Sequence, residues 1–251
     1  MDWHRRYLQQ AAWTSSLRDY LLEKAGILCA HRVLEVGCGT GVVLRDAAQM
    51  ADGSGLRSLA AHGLDLKPEP LLQARLQWPA ANLCRGDAAA LPYADRSFDI
   101  SFCHFLLLWV KDPRKVVQEM RRVTRRHGAV LALGEPDYGA RIDHPLELAS
   151  IGKWQEHALM QQGANTGIGP QLAGLFRQCE MQIVEAGTIT AWQPQAFTEA
   201  EFMGEWEVLR EDLNGLVPET ELDRMMLLDA DARRQGDRIL HVPTYFVWAQ
   251  V

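Results

Sequence analysis

An α/β fold with a doubly wound, mostly parallel sheet follows from three features of this 251-residue chain. Short apolar runs alternate with helix-patterned segments through the first half, the order that builds a parallel sheet with crossover helices. A Gly-x-Gly-x-Gly turn at Gly37–Gly41 joins the first such run to a helix. Acidic residues then fall at the ends of the next two runs, at Asp65 and Asp87. An antiparallel last strand and helical cap inserts complete the expectation.

The elements follow in order. Leu17, Tyr20, Leu21 and Lys24 mark an amphipathic helix, expected to start at the Thr14-Ser15-Ser16 cluster, whose hydroxyls suit an N-cap. Val33–Val36 is a strand, and Val42 to Met50 a helix with Val43, Leu44, Ala47 and Ala48 inward. Asp52-Gly53-Ser54-Gly55 breaks the chain. A second strand is expected at His62–Leu66, a third at Asn82–Arg85 and a fourth at Phe98–Phe102. Asp112-Pro113 opens a helix with Asp as N-cap and Pro at the first position. That helix turns Val116, Val117, Met120 and Val123 inward, stops at Gly128, and precedes a fifth strand at Ala129–Gly134. Beyond it, helices are expected around Pro145–Gln162 and Gly169–Cys179, and strands at Gln182–Trp192 and Val242–Ala249. Thr198-x-x-Glu201 is a capping box ahead of Phe202, Trp206 and Leu209. No linker is visible, so residues 1–251 read as one domain, with 138–165 and 193–236 as helical inserts.

Composition narrows the function. A hydrophobic fraction of 47% and a charged fraction of 23% are ordinary for a soluble globular chain. No apolar run approaches the ~20 residues of a membrane span, and the N-terminus lacks a secretory h-region. No membrane association and a cytoplasmic location are expected. The five cysteines are scattered, with no C-x-x-C pair and no zinc-ligand spacing, so no metal is expected. A net charge of -6 argues against nucleic acid. The run Arg121-Arg122-x-x-Arg125-Arg126 reads as a solvated helix face.

The glycine turn carries the most information. It puts bare backbone against a ligand at the sheet's carboxyl edge, and the N–H groups of the next helix favour an anionic group there. In a dinucleotide fingerprint the third glycine would stand at position 42, which is Val42; here it is Gly41. Asp65 can accept both hydroxyls of a ribose, which by itself leaves several nucleotide cofactors open. Asp87, in Arg85-Gly86-Asp87-Ala88, is more discriminating. It can accept from an adenine amine while Ala88 offers a backbone N–H to the ring.

With these residues in hand, the stretches VLEVGCGTG, GLDL, GDAAALPYADRSFD and FDISFCHFLLLWVKDP resemble, in order, the motifs of class I S-adenosylmethionine-dependent methyltransferases. The likeness is to the branch that includes ubiquinone/menaquinone-biosynthesis-type enzymes, and it covers Arg32 to Glu135. It implies a Rossmann-like fold with S-adenosyl-L-methionine as cofactor. Gly37, Cys38, Gly39 and Gly41 would lie beside the methionine moiety, with Glu35 beneath them. Asp65 and Leu66 would hold the ribose, and Gly86, Asp87 and Ala88 the adenine. Cys103 and His104 match the exit of the fourth strand, where a backbone carbonyl meets the methionine ammonium. Trp109 departs from the histidine many relatives carry. The segment Arg6-Tyr7-x-x-Gln10 with Trp13-Thr14 is expected to fold over the cofactor.

His104 has two readings, a general base at the mouth of the site or a residue lining the methionine pocket. Glu135, Asp137, Tyr138 and His144 either face an acceptor or serve as loop and cap residues. Trp154, Trp192, Trp206 and Trp248 are expected mainly in the core. The expected reaction is in-line methyl transfer to a small-molecule acceptor, by a monomer or homodimer. It depends chiefly on holding the nucleophile about 3 Å from the methyl carbon. Rival readings are a non-catalytic S-adenosylmethionine-binding protein, an NAD(P)-dependent oxidoreductase and, despite the acidic average, an RNA methyltransferase.

Overall fold

The computed structural model describes residues 3–52, 59–189 and 198–251. Helix α1 (Trp3–Lys24) precedes β1 (Arg32–Val36), α2 (Val42–Asp52), β2 (Ala60–Asp65), α3 (Pro68–Gln77), β3 (Asn82–Arg85), β4 (Phe98–Cys103), α4 (Pro113–Val123) and β5 (Thr124–Pro136). The second half holds β6 (Ile142–His144), α5 (Ala149–Gln161), α6 (Leu172–Gln178), β7 (Gln182–Ile189), α7 (Glu199–Asp212), α8 (Glu219–Gln235), β8 (Ile239–His241) and β9 (Thr244–Gln250). The main sheet has the order β3-β2-β1-β4-β5-β9-β7. Strands β1 to β5 are parallel, and the last strand, β9, runs antiparallel between β5 and β7. This is the Rossmann-like doubly wound sheet expected from the sequence.

The topology positions the site. The chain winds outward from β1 through β2 to β3, then crosses back to β4 on the other side of β1. The two crossovers diverge at the carboxyl ends of β1 and β4, and such a switch point opens a crevice for ligands. Strands β1, β4 and β5 are buried almost throughout, as strands covered on both faces must be. One face packs Val116, Val117, Met120 and Val123 of α4 and Phe176 of α6 against Leu34 and Val36. The other packs Leu21 and Leu22 of α1 and Val43 and Leu44 of α2 against Val33 and Phe102. At about 1.5–3 kcal/mol for each large apolar side chain removed from water, these faces dominate the stability. A separate cluster joins α5, α7 and α8 through Ile151, Phe202, Trp206, Leu222 and Met225.

Local signals act as expected at several ends. Asp112 accepts the Lys115 amide at 3.0 Å and Pro113 follows it. The Thr198/Glu201 capping box forms in full.

Other boundaries differ. Helix α1 does not begin at Thr14–Ser16 but already runs from Trp3. The Ser15 hydroxyl bonds back to the Ala12 carbonyl and the Thr14 hydroxyl turns to His104, so neither caps the helix. Strand β5 is 13 residues long, well beyond the expected Ala129–Gly134, because it pairs with β4 on one side and β9 on the other. A 3-10 turn at Leu146–Leu148 precedes α5, and another at Gly169–Gln171 precedes α6. Strand β9 begins at Thr244, just after Pro243, which has no N–H for the ladder. The insert after β7 contains two helices, separated around Gly215, whose φ is 77°, and Pro218. Strands β6 and β8, of three residues each, were not anticipated. Gly53–Gly55, Trp192 and residues 193–197 lie outside the described residues. No described helix is long and apolar enough to cross a membrane.

Candidate functional site

The glycine turn adopts the backbone its composition allows. Gly37, Gly39 and Gly41 all have positive φ (75°, 51° and 76°), a region that L side chains enter only at a cost. The turn is fastened to β2: the amides of Gly37 and Cys38 both donate to the Leu64 carbonyl, at 2.7 and 2.9 Å. Space is tight as well. A Cβ on Gly37 would stand 2.7 Å from Leu106 Cδ1, and one on Gly39 would stand 3.0 Å from the Tyr7 ring.

Asp65 completes the fastening. Its Oδ2 accepts the Gly39 amide at 2.8 Å and its Oδ1 accepts the Lys67 amide at 2.9 Å. An ionised carboxylate offers about four lone-pair directions, so two acceptor positions remain for a pair of hydroxyls. Leu66, beside it, is 62% exposed at the strand end. One strand further out, Gly86 donates to the Asp65 carbonyl at 3.0 Å, while Asp87 Oδ1 accepts the Ala89 amide at 2.8 Å. Ala88 is buried and Asp87 is exposed. The register pairs Asp65 with Arg85, so the two acids lie near each other along one rim.

Glu35 stands in β1, two residues before the turn. It is buried, burial pushes its carboxyl well above the usual range, and nearby Arg18 opposes that rise. Among the described residues, its Oε2 and Arg18 Nε are buried without hydrogen-bond partners. Cys38 and Cys103 are buried thiols, raised chiefly by that burial and thus not nucleophiles at neutral pH.

His104 is held by a contact to helix α1. Its Nε2 lies 2.8 Å from Thr14 Oγ1. That hydroxyl accepts from Arg18 Nη1 at 2.7 Å, and its own proton is best directed to Nε2, since the Ala11 carbonyl is 3.5 Å away. With the Thr14 proton directed to Nε2, that nitrogen is the acceptor and the ring carries its proton on Nδ1. Burial and the Arg18 charge push the imidazole down to about 3. The ring is neutral at physiological pH and its one basic nitrogen is already occupied.

Helix α1 reaches the site at several points. His4 Nδ1 lies 3.0 Å from Thr40 Oγ1, and the Tyr7 ring covers Gly39. Arg18, 2% exposed, links Thr14 to Asp46 of α2 at 2.8 Å. Beside these contacts a cavity of about 150 Å³ opens between His4, Leu8, Gly41, Arg45 and Trp78, and neither Asp65 nor Asp87 lines it. Trp109 is 43% exposed on the loop after β4.

The remaining candidates separate clearly. Glu135 does not follow β5 but lies inside it, fully buried, accepting the amides of Leu106, Leu107 and Leu108. Asp137 caps its own turn through the Gly139 and Ala140 amides, and His144 bonds Asp237. Trp206 is core, donating to Asp229 at 2.9 Å, while Trp154 and Trp248 are half-buried. In the basic run, Arg121 pairs with Glu180, Arg122 with Glu119 and Asp95, and Arg125 with Asp99. Arg125 belongs to β5, not to the helix. The described residues contain no group of three or more metal-ligating side chains.

A buried ionic network that no spacing announced ties β6, β8 and the helices together. Asp143 accepts from Arg141 and Arg238, and Asp229 from Arg233, Arg238 and Trp206. Arg233 also reaches Glu205, and Gln155 reaches Asp212.

A family model described as a methyltransferase domain matches residues 34–132. The malonyl-[acyl-carrier protein] O-methyltransferase of Halorhodospira halophila is 32% identical over 156 residues, 60% of this chain and 49% of that protein. The demethylmenaquinone methyltransferase of Renibacterium salmoninarum is 34% identical over 128 residues, 50% of this chain and 51% of its own. The chain thus spans about half the length of these relatives. Among solved structures, a putative methyltransferase from Bacillus halodurans superposes with a TM-score of 0.61 at 15% identity, covering 93% of this chain and 97% of that one. A geranyl diphosphate methyltransferase solved with its cofactor gives 0.58 at 15% identity, over 94% and 84%. At such identities these structures speak to the fold.

Proposed function

We propose, from the premise that residues 34–132 belong to the methyltransferase-domain family, that this chain is an S-adenosylmethionine-dependent methyltransferase acting on a small organic acceptor. The observation that carries the reading is the rim of β1, β2 and β3: three left-handed glycines braced by Asp65, with Asp87 and the Ala88 backbone beside it. This donor and acceptor set suits a nucleoside carrying a charged amino acid tail. No lysine follows the glycines to meet a phosphate.

In this reading, Gly37, Cys38, Gly39 and Gly41 receive the methionine end, with Glu35 below and the Cys103–His104 backbone opposite. Asp65 and Leu66 take the ribose; Gly86, Asp87 and Ala88 take the adenine. When bound, S-adenosylmethionine supplies a methyl group already activated on sulfur. The chain's contribution is positioning and exclusion of water. Tyr7 and His4 of α1 cover the turn, and segments 138–165 and 198–236 are assigned to cap the acceptor. His104, with its proton on Nδ1, is assigned to orienting the pocket. The names of the relatives span acyl-carrier-protein, quinone and prenyl diphosphate acceptors. The common element, and the one assigned here, is a small acceptor group presented to the cap.

Calorimetric titration with S-adenosylmethionine and S-adenosylhomocysteine tests the reading. Binding of both is expected; no heat at saturating concentration refutes it.

A further inference from the structure

A carboxylate buried without a cation ordinarily costs several kcal/mol, so the structure around one is informative. Glu135 is such a group: it is fully buried, and its donors among the described residues are three consecutive backbone amides. Oε1 accepts from Leu106 and Leu107 at 2.9 Å each, and Oε2 from Leu108 at 3.2 Å. Successive amides turned to one point form a concavity suited to an anion, and here the chain fills it with its own side chain. The turn that aims them begins at Phe105, a non-glycine residue at φ 50°, whose amide bonds to the Gly134 carbonyl at 2.9 Å. Two neighbouring residues of β5 therefore template the whole loop after β4.

That loop connects two elements assigned above to different ligands. Leu106 packs against Gly37 so closely that a Cβ there would stand 2.7 Å from its Cδ1. The Leu108 carbonyl accepts the Asn165 amide at 2.7 Å, at the end of the 138–165 cap segment. We propose that Glu135 is a positioning residue which, by clamping the amides of Leu106–Leu108, sets the glycine turn and the cap segment in register with each other. The inference rests on the cofactor reading for what the register serves, not for the clamp itself.

Burial raises the Glu135 carboxyl to about 7, against the opposing pull of the three amides. The titratable groups beside it are the buried Cys103 thiol on β4, whose own rise Glu135 adds to, and Tyr245, its partner across the ladder on β9. The closed clamp therefore holds a proton on Glu135 more tightly than an opened, solvated one would, and is expected to loosen as pH rises through about 7.

Amide hydrogen exchange on the whole chain tests this. In E135Q, where an NH₂ replaces one acceptor, protection at Leu106, Leu107 and Leu108 is expected to fall by about tenfold or more, with α4 and α6 unchanged. S-adenosylhomocysteine affinity should fall by about tenfold in parallel, and E135D should lie between E135Q and wild type. If E135Q does not fold, wild type alone decides. Protection at the three amides, corrected for intrinsic rates, should drop as pH is raised through about 7, where the buried carboxyl must ionise. Unchanged exchange at these amides, or an equal loss throughout the chain, overturns the proposal. Wild type that fails to bind S-adenosylhomocysteine while showing the local exchange effect would refute the cofactor reading and leave the clamp standing.

Discussion

Replacing Asp65 with asparagine separates its two roles, because both of its oxygens already accept backbone amides while the reading also gives it a ribose. Asparagine keeps one acceptor and turns an NH₂ toward either the Gly39 or the Lys67 amide, where it can only oppose a donor. One hydrogen bond to a charged group is lost, worth about 1.5–3 kcal/mol, and half-burial places this case at the lower end. For a chain of this size a loss of about 1.5 kcal/mol lowers Tm by roughly 3–6 °C. The ribose contact is lost as well, so S-adenosylhomocysteine affinity should fall by about 10- to 100-fold. Scanning calorimetry with and without ligand reads both effects. A Tm that falls as expected with an affinity within about twofold of wild type would make Asp65 a turn brace only, and would refute the reasoning.

Other expectations follow from the same geometry. Asp87→Ala removes an exposed side chain whose structural partner is the Ala89 amide, so Tm should move by only about 1–3 °C while S-adenosylhomocysteine binding weakens by about tenfold. Stability should show two opposed slopes with pH. His104, held down to about 3, favours the fold fully above its unfolded value of about 6.5 and loses that contribution as pH falls toward 3; urea unfolding of His104→Gln should lack this slope. Glu135, raised to about 7, favours the fold fully below its unfolded value of about 4.3 and loses that contribution as pH rises through 7; E135Q should lack that one. Asp143→Asn weakens the buried pairing of Arg141 and Arg238 and should cost about 3–5 kcal/mol in chemical denaturation, whereas Asp231→Asn, paired with Arg234 at the surface, should cost under about 1 kcal/mol.

Much of this was written in the sequence, and the reasons differ by region. The parallel core was legible because β1, β4 and β5 are buried on both faces and so are apolar throughout, while α4 keeps a clean inward stripe. The glycine turn was legible because left-handed backbone restricts composition at three fixed positions. The start of helix α1 is hidden because its mid-helix hydroxyls look like caps until their bonds to His104 and the Ala12 carbonyl are seen. Strands β6 and β8 have too few residues for a period to show. The role of His104 turned on Thr14 and Arg18, some 90 residues away in sequence, and no local pattern reports such a partnership. Glu135 was visible as an acid near the end of β5. That its carboxylate serves the loop after β4 depends on the backbone of Phe105, which has no signature in residue type.

The most direct test is a co-crystal structure with S-adenosylhomocysteine. The ribose hydroxyls are expected on Asp65, the adenine amine on Asp87 and the amino acid tail against Gly37–Gly41. A diphosphate lying across Gly37–Gly41 after exposure to NAD(H), with S-adenosylhomocysteine failing to bind, would contradict this placement.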